Sequence, residues 1–268
     1  MTRGRSSTRV VSPYRELAEA YDIVHDRKPY AQEARKVRRL AKRFASRPLR
    51  RLLDVACGSG RHLEQFSRWF DCVGVDSSPQ MMARARSRVP QAELALGRME
   101  SFALGRQFDL VTCLFSAIGY ARSVGELRRT IRNLARHTAP GGVIVVEPWI
   151  TPSAYLPGHV GYVVRESGKT SVLRMDAARR QKGRAIFAFH YLVGHPGRVD
   201  HFLETHDLGL FSVRTMTAAF RDAGLTVHYL RGGLTTRRGL YVAGRPVTAT
   251  SGPAVRPRAG RSRQRAER

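Results

Sequence analysis

The chain has 268 residues, of which 42% are hydrophobic, and a formal net charge of +26. That length suffices for one large α/β domain with a substantial core. No apolar stretch approaches the roughly 18 uninterrupted residues of a membrane-spanning helix, so we expect no membrane association. The charge indicates an anionic partner, either nucleic acid or a phosphorylated small molecule, although an arginine-rich composition without any such partner is an equal alternative.

The N-terminal residues and the cysteines indicate where in the cell the protein is located. The arginines among residues 1–9 are not followed by an apolar segment, so they do not form a secretory signal. Cys57, Cys72 and Cys113 form no C-x-x-C pair. We therefore expect buried, reduced thiols in a cytoplasmic protein.

Strand and helix patterns alternate along most of the chain. Apolar residues at helical spacing predict two helical segments between Tyr14 and about Ala45. The alternation that follows is typical of a parallel sheet covered on both faces. The predicted elements are strand 51–56, helix 61–69, strand 72–75, helix 79–88, a short strand at 92–95, strand 108–113, helix 123–137, the turn Pro140-Gly141-Gly142 and strand 143–147.

Residues 158–210 interrupt this alternation with period-two runs separated by glycine turns, which predicts an antiparallel insertion acting as a lid or dimer element. Helix 212–223 and strands 225–230 and 239–243 then complete the sheet. We predict one α/β domain over residues 14–247, built on a doubly wound, mostly parallel seven-stranded sheet with an antiparallel β insertion. A basic disordered arm, 1–13, and a basic disordered tail, 248–268, would flank it.

The most informative stretch is L-L-D-V-A-C-G-S-G at residues 52–60, followed by V-G-V-D ending on Asp76. In a nucleotide-binding βαβ unit the glycines let the backbone approach the ligand, and the later acid accepts the ribose hydroxyls. Leu63 stands where a dinucleotide fingerprint needs glycine, so we expect a nucleoside ligand. The alternatives are a turn without a ligand and, for Asp76, a helix-capping role that Ser77 or Ser78 could fill instead.

These motifs resemble the first two motifs of class I S-adenosylmethionine-dependent methyltransferases, which have a Rossmann-like fold. The strings F-S-A-I-G-Y, E-P-W, H-Y-L-V and R-G-L-Y follow in order. They are similar to the N,N-dimethyltransferases of dTDP-linked amino sugars in deoxysugar biosynthesis. The resemblance covers about Tyr14 to Gly244. It implies S-adenosylmethionine as cofactor and methyl transfer to the amine of a small molecule, such as a nucleotide-linked amino sugar, in antibiotic biosynthesis.

The strand ends and the resemblance together give candidate binding residues. Those for the cofactor are Asp54, Ala56, Gly58, Gly60, Asp76, Ser77, Met81, Met99, Leu114 and Tyr30. Those for the substrate are Ser116 and Trp149, with Arg238 for its phosphates. One departure is Arg98, because such families usually carry an acid between Gly97 and Met99 to accept from the adenine amino group.

Methyl transfer to an amine requires an unprotonated nitrogen, for which a weak base or a desolvated pocket suffices. Tyr14, Tyr120 and His206 are the catalytic candidates; the resemblance implies that Ser116 and Tyr120 face the amine. The simpler interpretation of the tyrosines is core packing, and that of His206 is a polar cross-strand face. His201 and His206 lack metal-ligand spacing, so we predict no metal site.

Two other functions are compatible with the charge. A nucleic-acid methyltransferase acting on rRNA or tRNA would typically show an N/D-P-P-Y turn after the fourth strand, where this chain has Leu114-Phe115-Ser116-Ala117. A non-catalytic, basic nucleotide-binding regulator would bind nucleic acid through its arginine tails. The expected partners are therefore a small-molecule amine or nucleotide sugar, nucleic acid through the tails, and a second copy in a homodimer.

Overall fold

The computed structural model describes residues 8–234 and 238–247. Its helices are α1 (Ala18–Val24), α2 (Tyr30–Phe44), α3 (Arg61–Phe66), α4 (Pro79–Arg88), α5 (Val124–Arg136) and α6 (Val213–Asp222), with a 3₁₀ turn at Ala117–Tyr120. Its strands are β1 (Arg9–Val11), β2 (Arg51–Val55), β3 (Asp71–Asp76), β4 (Glu93–Leu96), β5 (Phe108–Cys113), β6 (Thr138–Val146), β7 (Val160–Ser167), β8 (Thr170–Gln181), β9 (Arg184–His195), β10 (Arg198–Gly209), β11 (Thr226–Leu230) and β12 (Leu240–Gly244).

The larger sheet has seven strands in the order β11-β12-β6-β5-β2-β3-β4. Only β12 runs antiparallel to its neighbours β11 and β6 within this sheet. Adjacent residues of β2 enter opposite cores: Leu52 packs with α2 and α3, and Leu53 packs with α5 and α6. Strand order reverses between β2 and β5, where an open α/β sheet binds its ligand. The predicted fold class is confirmed.

The smaller sheet has the order β1-β10-β9-β8-β7, and β7 to β10 form an antiparallel meander. One face packs against α1 through Leu17, Ile23, Tyr191 and Phe202. The insertion therefore folds back over the start of the chain, which brings residues near 14 and residues near 205 together.

Two local predictions are wrong. Arg9–Val11 is paired with β10 in parallel, not disordered, because the edge of β10 offers unpaired backbone groups that β1 satisfies. The Pro140-Gly141-Gly142 segment lies inside β6, where Gly141 N donates to Arg245 O at 2.8 Å and the pairing with β5 shifts register. Residues 1–7 of the arm and the tail 248–268 lie outside the described residues.

Among the described residues, no helix has both the length and the apolar character that a bilayer span requires.

Close packing at β3 gives a test of the core. A Cβ on Gly74 would lie 2.8 Å from Leu94 Cδ2 and 2.9 Å from both Cys57 Sγ and Leu63 Cδ2. We expect Gly74→Ala to lower the free energy of unfolding by about 1 to 3 kcal/mol through overpacking. Gly125→Ala in α5 is the matched control, because its nearest contact would be 3.7 Å and alanine favours a helix. Urea unfolding measures both, and an equally stable Gly74→Ala protein would contradict this packing.

Candidate active site

A cavity of about 470 Å³ opens at the carboxyl ends of the parallel strands, where the reversal of strand order predicts a ligand. The predicted cofactor residues that line it are Tyr30, Asp54, Ala56, Gly58, Asp76, Ser77, Met81, Met99 and Leu114. Two predicted catalytic residues, Tyr14 and Tyr120, line the same cavity. The structure therefore brings most of the predicted site into one space.

The two glycines of the turn have different roles. Gly58 has φ +56°, and a Cβ there would meet nothing within 4 Å, so the backbone faces open space beside the cavity. Gly60 has φ +80° and does not line the cavity. A Cβ on Gly60 would lie 3.2 Å from Ala85, so this glycine allows α4 to approach the turn. Gly58 gives a ligand room, whereas Gly60 serves packing.

Asp76 joins the glycine turn to the following helix. Its Oδ2 accepts from Gly58 N at 2.8 Å and its Oδ1 accepts from Ser78 N at 2.9 Å. The cap of α4 is Ser78, whose Oγ accepts from Met81 N at 3.2 Å. Burial raises the pKa of Asp76, and the backbone N–H donors oppose that rise. Asp76 is thus not the helix cap, and its carboxylate lies in the cavity wall.

Asp54 lies deeper, at the end of β2, and is 2% exposed. Thr112 Oγ1 donates to its Oδ1 at 2.6 Å. Burial, with a smaller contribution from the charge of Asp76, raises the pKa of Asp54 to about 6. The site therefore contains a carboxyl group whose charge is costly near neutral pH.

Asp22 on α1 is a site residue that sequence reasoning missed. It accepts from Ser59 Oγ at 2.5 Å and from Arg84 Nε and Arg88 Nη2, each at 2.8 Å. Burial acts to raise the pKa of Asp22, but these hydrogen bonds outweigh it and the pKa is lowered. The one-turn spacing of the two arginines signals a shared acid, although the sequence does not say which one.

The three catalytic candidates form a hydrogen-bonded chain. Tyr14 Oη contacts Tyr120 Oη, and Tyr120 Oη lies 2.5 Å from His206 Nδ1. His206 is 2% exposed, so any polar cross-strand face to which it belongs is buried. By alternation along β10, Phe202, Glu204 and His206 share one face, on which Phe202 packs with α1 and the His206 ring contacts Tyr14 and Tyr120. Glu204, which sequence reasoning missed, lies 2.9 Å from His206 Nε2.

The predicted substrate residues form a cluster beside the cavity. Arg238 Nη1 donates to Ser116 Oγ at 3.0 Å, and its guanidinium lies 4.8 Å from the Trp149 ring centroid. Ser116 Oγ donates to Pro148 O at 2.9 Å. Its hydroxyl therefore does not face the cavity, contrary to the expectation from the resemblance. Phe115 forms the wall there, between Lys28 at 4.7 Å and Arg238 at 6.0 Å from its ring centroid.

The departure at position 98 has a local explanation. The side chain of Arg98 is 67% exposed and pairs with Glu100, and both residues line the cavity. A carboxylate therefore reaches this part of the wall from two residues further along the chain.

Comparison with known proteins agrees with this geometry. Residues 52–142 match the family profile described as a methyltransferase domain. The chain is 40% identical over 230 residues to the dTDP-3-amino-3,6-dideoxy-alpha-D-glucopyranose N,N-dimethyltransferase of Streptomyces fradiae, covering 84% of this chain and 89% of that enzyme.

Two solved structures have the same architecture. DesVI of Streptomyces venezuelae superposes with a TM-score of 0.81 at 38% identity, over 86% of this chain and 98% of DesVI. The sugar N-methyltransferase KedS8 of Streptoalloteichus superposes with a TM-score of 0.83 at 35% identity, over 92% of this chain and 99% of KedS8.

The fold and the site define a class I methyltransferase whose cofactor is S-adenosylmethionine. Within that class, the chain belongs to the sugar N-methyltransferases of natural-product biosynthesis. These relatives favour a small-molecule amine over both the nucleic-acid methyltransferase and the regulator.

The buried carboxyl group of Asp54 predicts a pH dependence. Its pKa of about 6 lies above the value near 3.9 of an unfolded chain, so it contributes stability below about pH 4 that is lost as the pH rises through 6. Asp54→Asn should abolish a loss on the order of 2 to 3 kcal/mol between pH 4 and 7.5, seen in urea unfolding. The control is Asp222→Asn, whose carboxylate is 51% exposed. An unchanged pH dependence in Asp54→Asn would contradict the pKa shift.

Proposed function

We propose that this protein methylates the amine of a dTDP-linked amino sugar twice, giving the N,N-dimethyl product. This proposal rests on one observation. A single cavity is lined both by the glycine turn with Asp76 and by Tyr14 and Tyr120, whose hydroxyls contact each other. The printed activity of the Streptomyces fradiae relative, at 40% identity over most of both chains, supports the substrate class.

The wall of the glycine turn fits the cofactor. The open space beside Gly58 accommodates a ligand against the backbone, and Asp76 supplies a carboxylate for the ribose hydroxyls. Met81, Met99 and Leu114 give the apolar surfaces that an adenine ring packs against. When bound, S-adenosylmethionine supplies an electrophilic methyl group.

The chain itself has to position the amine and keep it unprotonated. In-line displacement depends mainly on holding the nucleophile near the methyl carbon, and the residues that line the cavity supply that positioning. The buried hydroxyls of Tyr14 and Tyr120 give the amine hydrogen-bonding partners away from water.

The cationic groups around Phe115 suit a diphosphate. Lys28 Nζ lies 4.7 Å and the Arg238 guanidinium carbon 6.0 Å from the centroid of the Phe115 ring, which lines the cavity. Burial lowers the pKa of Arg238, so an anionic ligand would compensate for its desolvation. A planar guanidinium can bind phosphate oxygens in a bidentate manner.

Other partners stay predictions. The outer face of the smaller sheet carries exposed apolar side chains, including Tyr162 at 75% and Val160 at 62%, which agrees with a homodimer. Nucleic-acid binding by the tails concerns residues largely outside those described. The buried thiols of Cys57, Cys72 and Cys113 agree with a cytoplasmic location.

Cofactor binding should depend on Asp76. Asp76→Ala removes the acceptor proposed for the ribose, and each charge-assisted hydrogen bond lost should cost about 1.5 to 3 kcal/mol of affinity for S-adenosylmethionine. Calorimetry measures this loss. Asp71→Ala, at the exposed opposite end of β3, is the control and should bind as the wild type does. Equal affinity in Asp76→Ala would reject the assignment.

Recognition of the nucleotide should depend on Arg238. We expect Arg238→Ala to raise KM for a dTDP-linked amino sugar while leaving affinity for S-adenosylmethionine unchanged, because binding common to ground and transition states is lost. The control is Arg221→Ala on α6, an exposed position. If wild type uses the free amino sugar as efficiently as the nucleotide-linked form, the phosphate role of Arg238 is wrong.

A further inference from the structure

Glu204 forms hydrogen bonds with both ends of the tyrosine–histidine chain, Tyr14 and His206. Its Oε1 accepts from the backbone N–H of Tyr14 at 2.8 Å, and its Oε2 lies 2.9 Å from His206 Nε2. Its side chain is 3% exposed, as is that of His206. A carboxylate in this position accepts two hydrogen bonds and donates none.

The hydrogen bonds that Glu204 accepts determine which group donates in each hydrogen bond of the tyrosine–histidine chain. Because Glu204 accepts at Nε2, the proton of neutral His206 lies on Nε2 and Nδ1 carries the lone pair. Tyr120 must then donate its O–H to Nδ1, and its oxygen accepts the O–H of Tyr14. The lone pairs of Tyr14 Oη are left for a donor in the cavity, which Tyr14 lines.

The tyrosines pass a proton but do not retain it. Burial raises the pKa of Tyr14 and of Tyr120 well above the usual value, and the nearby charge of Glu204 adds to both rises. The other titratable groups near the chain are Tyr21 on α1, Tyr191 on β9 and, beside Tyr191, Arg174 and Asp176 on β8. Tyr21 and Tyr191 also have raised pKa values because of burial, so they too are neutral phenols near pH 7.

We propose that Glu204 is a positioning residue that orients a proton relay from the substrate amine through Tyr14 and Tyr120 to His206. The ammonium N–H bond breaks as an O–H bond forms on Tyr14. The former proton of Tyr14 passes to Tyr120, and that of Tyr120 passes to His206 Nδ1. Both phenols end neutral, and the imidazolium is paired with Glu204. The proton returns along the same chain to the open cavity once product leaves.

The relay rests on the proposed amine acceptor, and it explains how the same nitrogen could react twice. After one methyl transfer the nitrogen keeps both of its protons and is a positively charged ammonium without a lone pair. It must lose one of these protons before a second transfer. A buried acceptor within hydrogen-bonding reach would allow both transfers without release of the monomethyl intermediate.

The tautomer of His206 can be measured without cofactor or substrate. ¹⁵N-histidine NMR of the full-length protein, assigned with His206→Gln, should show a neutral ring protonated on Nε2. A proton on Nδ1, in either the neutral or the charged ring, would overturn the relay.

Kinetics then test the role of Glu204. In Glu204→Gln an NH₂ donor replaces one of the two carboxylate oxygens, so in the same orientation the side chain presents a donor to either Tyr14 N–H or His206 Nε2–H. For the Glu204→Gln variant we expect kcat/KM for the amino sugar to rise about tenfold per pH unit up to the pKa of the amine, because only the unprotonated amine reacts in that variant. Wild type and the control Glu166→Gln, an exposed glutamate on β7, should show a nearly level profile in that range, and only Glu204→Gln should accumulate monomethyl product.

The outcomes separate the relay from the proposed function. If wild type does not methylate the amino sugar, the proposed function fails. If wild type does so and Glu204→Gln has the same pH profile and the same product ratio, the relay is wrong while the function stands.

Tyr120→Phe provides a second variant in case Glu204→Gln fails to fold, since it removes only the hydroxyl that joins Tyr14 to His206. It should show the same steep pH profile. In the double variant Glu204→Gln/Tyr120→Phe, the effects of the two substitutions on the pH profile should not add, because both interrupt the same hydrogen-bonded chain. A level profile in Tyr120→Phe would overturn the relay.

Discussion

Tyr14 is held between the two sheets, and the geometry of the site depends on that attachment. Its carbonyl accepts from Ser78 Oγ at 2.7 Å, at the start of α4 on the larger sheet. Its N–H donates to Glu204 Oε1 at 2.8 Å, on β10 of the smaller sheet. The residue has φ +62°, a left-handed conformation that is costly for a tyrosine and persists only where its surroundings impose it. Because both sheets hold this residue, the proposed cofactor wall and the proton-accepting residues keep a fixed separation.

Scarce carboxylates organise this very basic protein. The chain has 47 lysines and arginines against 21 acids, and several of the acids at the site are buried and shared among donors. Asp22 accepts from Ser59 and pairs with three arginines, Glu33 pairs with Lys28 and His62, and Asp76 accepts from two backbone N–H groups. In the low dielectric of the interior such multiply bonded carboxylates fix geometry, and the loss of a single partner is costly. The surplus arginines lie mainly outside these networks, on exposed positions such as those of α2.

The sequence predicted what depends on local pattern. The nearly continuous buried runs of β2 and β5, the glycine turn and the acid at the end of β3 are readable because each follows from backbone geometry and nearby residues. The structure places nearly all of the predicted cofactor residues around one cavity. Contacts between distant segments were not readable: Asp22, Glu204 and the pairing of β1 each join parts of the chain far apart in sequence. His206 shows the difference most clearly, since the alternation of β10 is readable but the contacts of the His206 ring with Tyr14 and Tyr120 join distant segments.

The most direct test of the account is the structure of the product formed by the purified, full-length protein from S-adenosylmethionine and a dTDP-linked amino sugar. Mass spectrometry with NMR of the isolated sugar nucleotide gives both the number and the position of the methyl groups. The account predicts two methyl groups, both on the amino nitrogen. Methylation of a hydroxyl, or methyl transfer to RNA with no reaction of the sugar amine, would contradict it.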